Sequence, residues 1–198
     1  CLLEDETADK IIRSVKMLAR TFRLQAYDED RHTGLLRHIL VRAAKETGEY
    51  MLVLVMAKDF FEGEDEFLEA LLTLHPELKT VIFNVNCKDT TFVLGEQERV
   101  VFGDGYIVDE LNGMKFRISA KSFYQVNKVQ TAGLYETAIK AAKIRKKDTV
   151  LDAYSGIGTI GLLASRHAKS VVGVELNLDA VRDARLNAKM NHVENVRF

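Results

Sequence analysis

The stretch "LDAYSGIGTIGLLA", residues 151–164, carries Gly156, Gly158 and Gly161 in the spacing G-x-G-x-x-G. Glycines so placed after an apolar run let the backbone turn tightly and approach a ligand at the start of a helix. That spacing suits NAD and other adenosine-containing cofactors alike. Two carboxylates narrow the chemistry. Asp152 stands at the carboxyl end of the run that leads into the glycines, and Glu175 closes the next run, "VVGVEL". A carboxylate beside a bound pyrophosphate adds repulsion of roughly a few kcal/mol at an effective dielectric near ~20, so Asp152 argues against a dinucleotide. S-adenosylmethionine has no phosphate, and its methionyl end carries an ammonium and a sulfonium that an acidic neighbour suits. Glu175 fits hydrogen bonds from ribose hydroxyls in either class of cofactor. Tyr154 is placed to stack on adenine or to shape the pocket. The alternatives are structural: Asp152 capping backbone amides in the turn, Glu175 as a solvated strand end, Tyr154 as a core aromatic.

The elements around the loop follow from periodicity. "KKDTVLDAY" is strand-like, "GTIGLLASRHA" is the helix after it, and "SVVGVEL" is the next strand. "DAVRDARLNAKMN" is a second helix, started by Asn177 or Asp179, and "NVRF" begins a third strand. This alternation of strand and helix predicts a parallel, Rossmann-like α/β sheet. Upstream, Asn127 is placed to cap a helix carrying Ala132, Tyr135, Ala138, Ile139 and Ala142. The first half reads as a smaller α/β domain. Ile11, Val15, Leu18 and Phe22 recur at helical spacing, and "LLRHILVRAA" and "YMLVLVMA" are two strands of a hairpin across "KETGE". Phe67, Leu68, Leu71 and Leu72 stripe a second helix that ends before Pro76, and "TVIFNVN" and "YIVDEL" are further strands. The domains expected are 1–118 and 119–198. A sheet that has only begun its third strand at Phe198 predicts a piece of a larger enzyme.

Composition excludes several classes. The 198 residues are 47% hydrophobic and 29% charged with a net charge of -1, so no global basic signature marks the chain. No apolar run reaches the ~18 residues of a membrane span, and a cytoplasmic protein is expected. The two cysteines, Cys1 and Cys87, are too few for a disulfide framework. Cys87 is expected to be a buried small hydrophobe. His32, His75, His167 and His192 lack metal-ligand spacing, so no metal site is expected. Arg37, His38 and Arg42 on one strand, with Lys45 behind them, suit either phosphate contacts or a solvated face. Lys143, Arg145, Lys146 and Lys147 follow a helix, where cations complement the dipole.

Three segments together carry a specific resemblance: "FRISAKSFYQVNKVQTAGLYETAI", "DTVLDAYSGIGTIGLLAS" and "VVGVELNLDAVRDARLNAKMN". They resemble the RNA (uracil-5-)-methyltransferases that act on ribosomal and transfer RNA. The first half resembles that family's central domain more loosely, through "TGLLRHILVR" and "VLGEQERVVFGDGYI". The resemblance implies S-adenosylmethionine as cofactor and methylation of uridine at C5. A cysteine thiolate adds to uracil C6, the methyl passes to C5, and a base removes the C5 proton before the cysteine leaves. Gln125, Tyr154 and Glu175 match positions that contact the cofactor in the family; Asp152, Gly156 and Gly158 complete the expected set. The nucleophile and base match no residue here and are expected beyond Phe198, so no catalytic residue is assigned and the isolated chain is expected to be inactive. Ser155 stands where many relatives have cysteine, and Thr159 where some have asparagine. Cys1 resembles the last of four cysteines that hold an iron–sulfur cluster in many relatives, and one ligand cannot hold a cluster. The partner implied is RNA, ribosomal before transfer, with no membrane. A non-catalytic cofactor- or RNA-binding module is the alternative, ahead of a NAD-dependent oxidoreductase fragment.

Overall fold

The computed structural model describes residues 5–198, so Cys1 lies outside the described residues. The chain divides into two compact units, Cys1–Ile107 and Val108–Phe198. Among the described residues no helix is long and apolar enough to cross a membrane. No group of three or more His, Cys, Asp or Glu among them could hold a metal ion.

In the first unit, α1 (Glu6–Thr21) starts at Asp5, whose carboxylate accepts from the Thr7 and Ala8 amides. Strands β1 (Leu36–Ala44) and β2 (Glu49–Met56) form the antiparallel hairpin expected across residues 45–48. Helix α2 (Glu64–Leu74) crosses over to β3 (Leu78–Val85), which lies parallel to β2, and β4 (Gln97–Phe102) adds an antiparallel edge. The sheet order is β1-β2-β3-β4. Ile11, Val15 and Leu18 bury one face of α1 in a cluster with Phe67 and Leu71 of α2 and Leu52, Leu54, Met56, Val81 and Phe83 of the sheet.

The second unit begins within β5 (Tyr106–Leu111), which pairs with β6 (Met114–Ser119) across Asn112 and Gly113, both at positive φ. An Asn-Gly pair favours this tight hairpin turn. Helix α3 (Lys128–Ala142) is capped by Asn127, whose side chain accepts from the Gln130 amide. Its buried residues are Thr131 and Tyr135, while Ala138 and Ala142 of the expected stripe are exposed. Then come β7 (Thr149–Ala153), α4 (Thr159–Ser165), β8 (Ser170–Val174), α5 (Leu178–Met190) and β9 (Val196–Arg197). β7, β8 and β9 form one parallel sheet in that order. Asn177, the first of the two expected starts, caps α5 by accepting from the amides of Asp179 and Ala180.

The division at Ile107 and Val108 comes earlier in the chain than the 118/119 position drawn from the motifs. The β5–β6 hairpin travels with the second unit because α5 holds the free edge of β6. Asn187 Oδ1 accepts from the Arg117 amide at 2.7 Å. Asn191 Oδ1 accepts from the Lys115 amide at 2.9 Å, and its Nδ2 donates to the Lys115 carbonyl at 2.6 Å. Carboxamides one turn apart thus meet alternate residues of the strand, as a neighbouring strand would.

Phe67 is the packing centre of the first unit, with the rings of Phe22 and Phe61 edge-on to it at 5.6 and 5.5 Å. Phe67→Ala is expected to lower stability by about 3–5 kcal/mol in urea denaturation; a loss below about 1 kcal/mol would contradict this packing.

Candidate functional site

The parallel register pairs Asp152 with Gly173 and Ala153 with Val174, so β7 and β8 end side by side. The chain leaving β7 must turn back beneath its own sheet into α4, and its amides need partners as it does so. The Ser155 amide takes the Val174 carbonyl at 2.9 Å, and the Gly158 amide takes the Ser155 carbonyl at 2.8 Å. Two strand-end carboxylates take two more. Glu175 Oε2 accepts from the Gly156 amide at 2.9 Å, and its Oε1 accepts from the Asn177 amide at 2.8 Å. Asp152 Oδ2 accepts from the Gly161 amide at 2.8 Å.

Helix α4 explains the aspartate. Its N-cap is Gly158, at φ +84°, which offers no side chain to the first turn. Asp152 reaches across from β7 and does the capping at the third helical position. Gly161 must be glycine for this: a Cβ there would stand 2.8 Å from Asp152 Oδ2. Asp152 therefore has the structural role weighed as its alternative. Its second oxygen, Oδ1, makes no hydrogen bond among the described residues. Burial raises the Asp152 pKa, and the Gly161 amide opposes the rise. For Glu175 the Asn177 amide is the largest influence and lowers the pKa. Burial opposes it, and the Gly156 amide adds to the lowering. Glu175 is thus ionised at neutral pH and tethered to the loop.

Around these, Tyr154 sits in the left-handed region at φ +62° with 94% of its surface exposed. It is no core aromatic. A bulky residue held at positive φ and pointed at solvent marks a local constraint of the kind found at binding sites. Gly156 also has positive φ, and a Cβ there would meet open space. Gly158 is enclosed on the far side of the loop, against Ala184 and Phe198. Gln125 is exposed in the segment between β6 and α3. That segment is fixed on both sides of it: Ser122 Oγ donates to Asp183 Oδ2 at 2.6 Å, while Tyr124 Oη and Lys128 Nζ donate to Asp109 at 3.3 and 3.0 Å.

Sequence reasoning missed Asp183, Asn187 and Asn191. They lie at i, i+4 and i+8 on the same face of α5 as the buried Ala180, Ala184 and Ala188. Polar residues on the apolar face of a helix were the available signal. Asn187 is fully buried and donates from Nδ2 to the Ile157 carbonyl, inside the glycine loop, at 3.0 Å.

Other expectations are corrected. Cys87 is exposed rather than a buried hydrophobe, because it follows the end of β3 in a loop. The Arg37 side chain is 1% exposed and fully engaged: it pairs with Glu29 through Nε and Nη2, donates from Nη1 to the carbonyls of Asn86 and Lys88, and covers the Tyr27 ring. It serves neither phosphate nor a solvated face. In the basic run, Arg145 pairs with Asp148, and Lys146 caps the end of α4 through the Arg166 carbonyl. His75 needs no correction and fits a structural role, buried against Glu77.

Comparison with known proteins places this arrangement. The family model described as tRNA (uracil-5-)-methyltransferase matches residues 35–198. An uncharacterized RNA methyltransferase of Halalkalibacterium halodurans is 42% identical over 198 residues, covering 100% of this chain and 43% of that protein. One from Oceanobacillus iheyensis is 40% identical over the same span, again 43% of its length. The chain thus spans less than half the length of these relatives. Among solved structures, the tRNA (uracil-54, C5)-methyltransferase of Pyrococcus abyssi in complex with S-adenosyl-L-homocysteine is similar. Its TM-score is 0.77 at 25% identity, covering 94% of this chain and 45% of that one.

Ser155 Oγ is buried without a hydrogen-bond partner among the described residues, and an orphaned buried hydroxyl costs about 1–3 kcal/mol. Ser155→Cys and Ser155→Ala are each expected to raise stability by about 1 kcal/mol in thermal denaturation; a loss in both would show that the hydroxyl is satisfied.

Proposed function

The chain belongs to the tRNA (uracil-5-)-methyltransferase family, and we propose that its second unit holds S-adenosylmethionine for methylation of a uridine of RNA at C5. The observation that carries this is the pair of carboxylates at the ends of β7 and β8, one ionised and tethered to the loop amide, the other capping α4 with an oxygen to spare. The donor set suits an adenosine linked to a cation. The side chains at the strand ends are acidic, and the open space beside Gly156 admits a ligand against the backbone.

Glu175 accepts the ribose hydroxyls, and the amides that lower its pKa keep it in the ionised form that accepts best. The exposed Tyr154 ring borders the adenine. Asp152 offers Oδ1 to the methionyl ammonium, and Gln125 closes the pocket from the segment before α3. Gly156 and Gly158 give the loop its path. When bound, S-adenosylmethionine supplies an electrophilic methyl group on a sulfonium. The target uridine has to leave its stack to reach it, as for other enzymes acting on a base. Neither Cys1 nor Cys87 matches the family's nucleophile, so these 198 residues bind the cofactor without completing the transfer.

Calorimetric titration with S-adenosylhomocysteine and with NAD tests the reading. S-adenosylhomocysteine is expected to bind more tightly, and Glu175→Ala is expected to weaken it by at least about tenfold; tighter binding of NAD would overturn the proposal. Asp152→Asn separates stability from binding. A folded-state pKa raised by burial means that the charged form opposes folding at neutral pH and that this opposition fades as pH falls through the folded pKa. The neutral isostere should therefore keep or raise the melting temperature at pH 7 while weakening S-adenosylhomocysteine; a lower melting temperature with unchanged affinity would assign Asp152 to capping alone.

A further inference from the structure

Asp183 and Asn187 lie one turn apart on α5, 3% and 0% exposed, and between them they touch both sides of the proposed pocket. Asp183 Oδ2 accepts from Ser122 Oγ at 2.6 Å, three residues before Gln125, and its Oδ1 accepts from Arg117 Nε at 3.0 Å. Asn187 accepts from the Arg117 amide and donates to the Ile157 carbonyl, between Gly156 and Gly158. We propose that Asp183 and Asn187 are positioning residues for the cofactor, which fix the Gln125 segment and the glycine loop at one separation by bonding both to a single turn of α5. The inference rests on the preceding assignment of Gln125 and the loop to S-adenosylmethionine.

Packing alone does not call for these residue types. Replacing a buried ion pair by well-packed apolar side chains is often neutral or stabilising. What a buried polar pair adds is direction. Hydrogen bonds of 2.6–3.0 Å hold only over a narrow range of distance and angle, and Asp183 and Asn187 lose partners for a buried charge and a buried dipole if the loop or the segment shifts. The Gln125 segment is tied again downstream, where Tyr124 and Lys128 occupy the two oxygens of the buried Asp109. Gln125 itself makes no hydrogen bond among the described residues, although the residues on both sides of it are anchored. That is the arrangement expected of a side chain kept for a ligand.

Asn187→Ala is the obvious variant, but it strands the Arg117 amide and the Ile157 carbonyl and risks the fold. Ser122→Ala changes no residue of α5 and removes one hydroxyl, which meets the Ser119 amide and hydroxyl as well as Asp183. S-adenosylhomocysteine affinity is measured by calorimetry for the 198-residue chain, Ser122→Ala, Gln125→Ala and the double variant, each checked by thermal denaturation. Ser122→Ala is expected to weaken binding about tenfold. The double variant is expected to bind as Gln125→Ala does, within about twofold, because Ser122 acts through Gln125. Unchanged affinity in Ser122→Ala overturns the inference, as do losses that multiply in the double variant. If the unsubstituted chain does not bind S-adenosylhomocysteine, the cofactor assignment itself fails and the inference falls with it.

Discussion

A loop that turns back from the end of a parallel strand exposes backbone amides with no strand to take them, and the whole site depends on how these are satisfied. Here two carboxylates share the task with the Val174 and Ser155 carbonyls. Glu175 holds the Gly156 amide and Asp152 holds the Gly161 amide, each from the end of its own strand. The loop is therefore held by the ends of the sheet. Two of the glycines are the counterpart of those bonds: Gly158 provides a helix start without a side chain, and Gly161 leaves room for the aspartate that replaces it. A preformed loop spares a ligand the entropy of ordering it.

The same carboxylates carry unequal electrostatics, and the difference follows from their surroundings. Glu175 is lightly buried and accepts several amides, so its charge is stabilised. Asp152 is more deeply set and accepts one, so burial outweighs its hydrogen bond. A group whose charged form works against the fold is kept most readily where that charge has another use, which the proposed cationic ligand beside Oδ1 would supply. Tyr154 fits the same pattern, with a strained backbone and an exposed ring in place of an unfavourable charge.

What could be read from the sequence was local. The Asn127 and Asn177 caps, the Ile11, Val15 and Leu18 stripe and the alternation of strand and helix in the second unit all follow from neighbours within a few residues. The strand-end positions of Asp152 and Glu175 were legible for the same reason, although whether Asp152 caps or binds was not, because the cap needs α4 to fold back toward it. The rest depended on distant partners. Asp183, Asn187 and Asn191 meet groups 61 to 76 residues away in the chain, and nothing near them reveals Ser122, Arg117 or Lys115. Arg37 looked available on its strand, but its partners come from loops at Glu29, Asn86 and Lys88. The alanines of α3 kept helical spacing without enough side chain to decide which face is buried, and Tyr135 decided it.

The central claim is that the strand-end carboxylates serve the fold and an adenosine-containing cation at once. A crystal structure with S-adenosylhomocysteine bound tests it most directly. The account predicts the ribose hydroxyls within hydrogen-bond distance of Glu175, the amino group facing Asp152, and the bonds from Gly156 to Glu175 and from Gly161 to Asp152 both retained. A ligand seated away from the ends of β7 and β8, or a loop that releases Glu175 and Asp152 on binding, would contradict it.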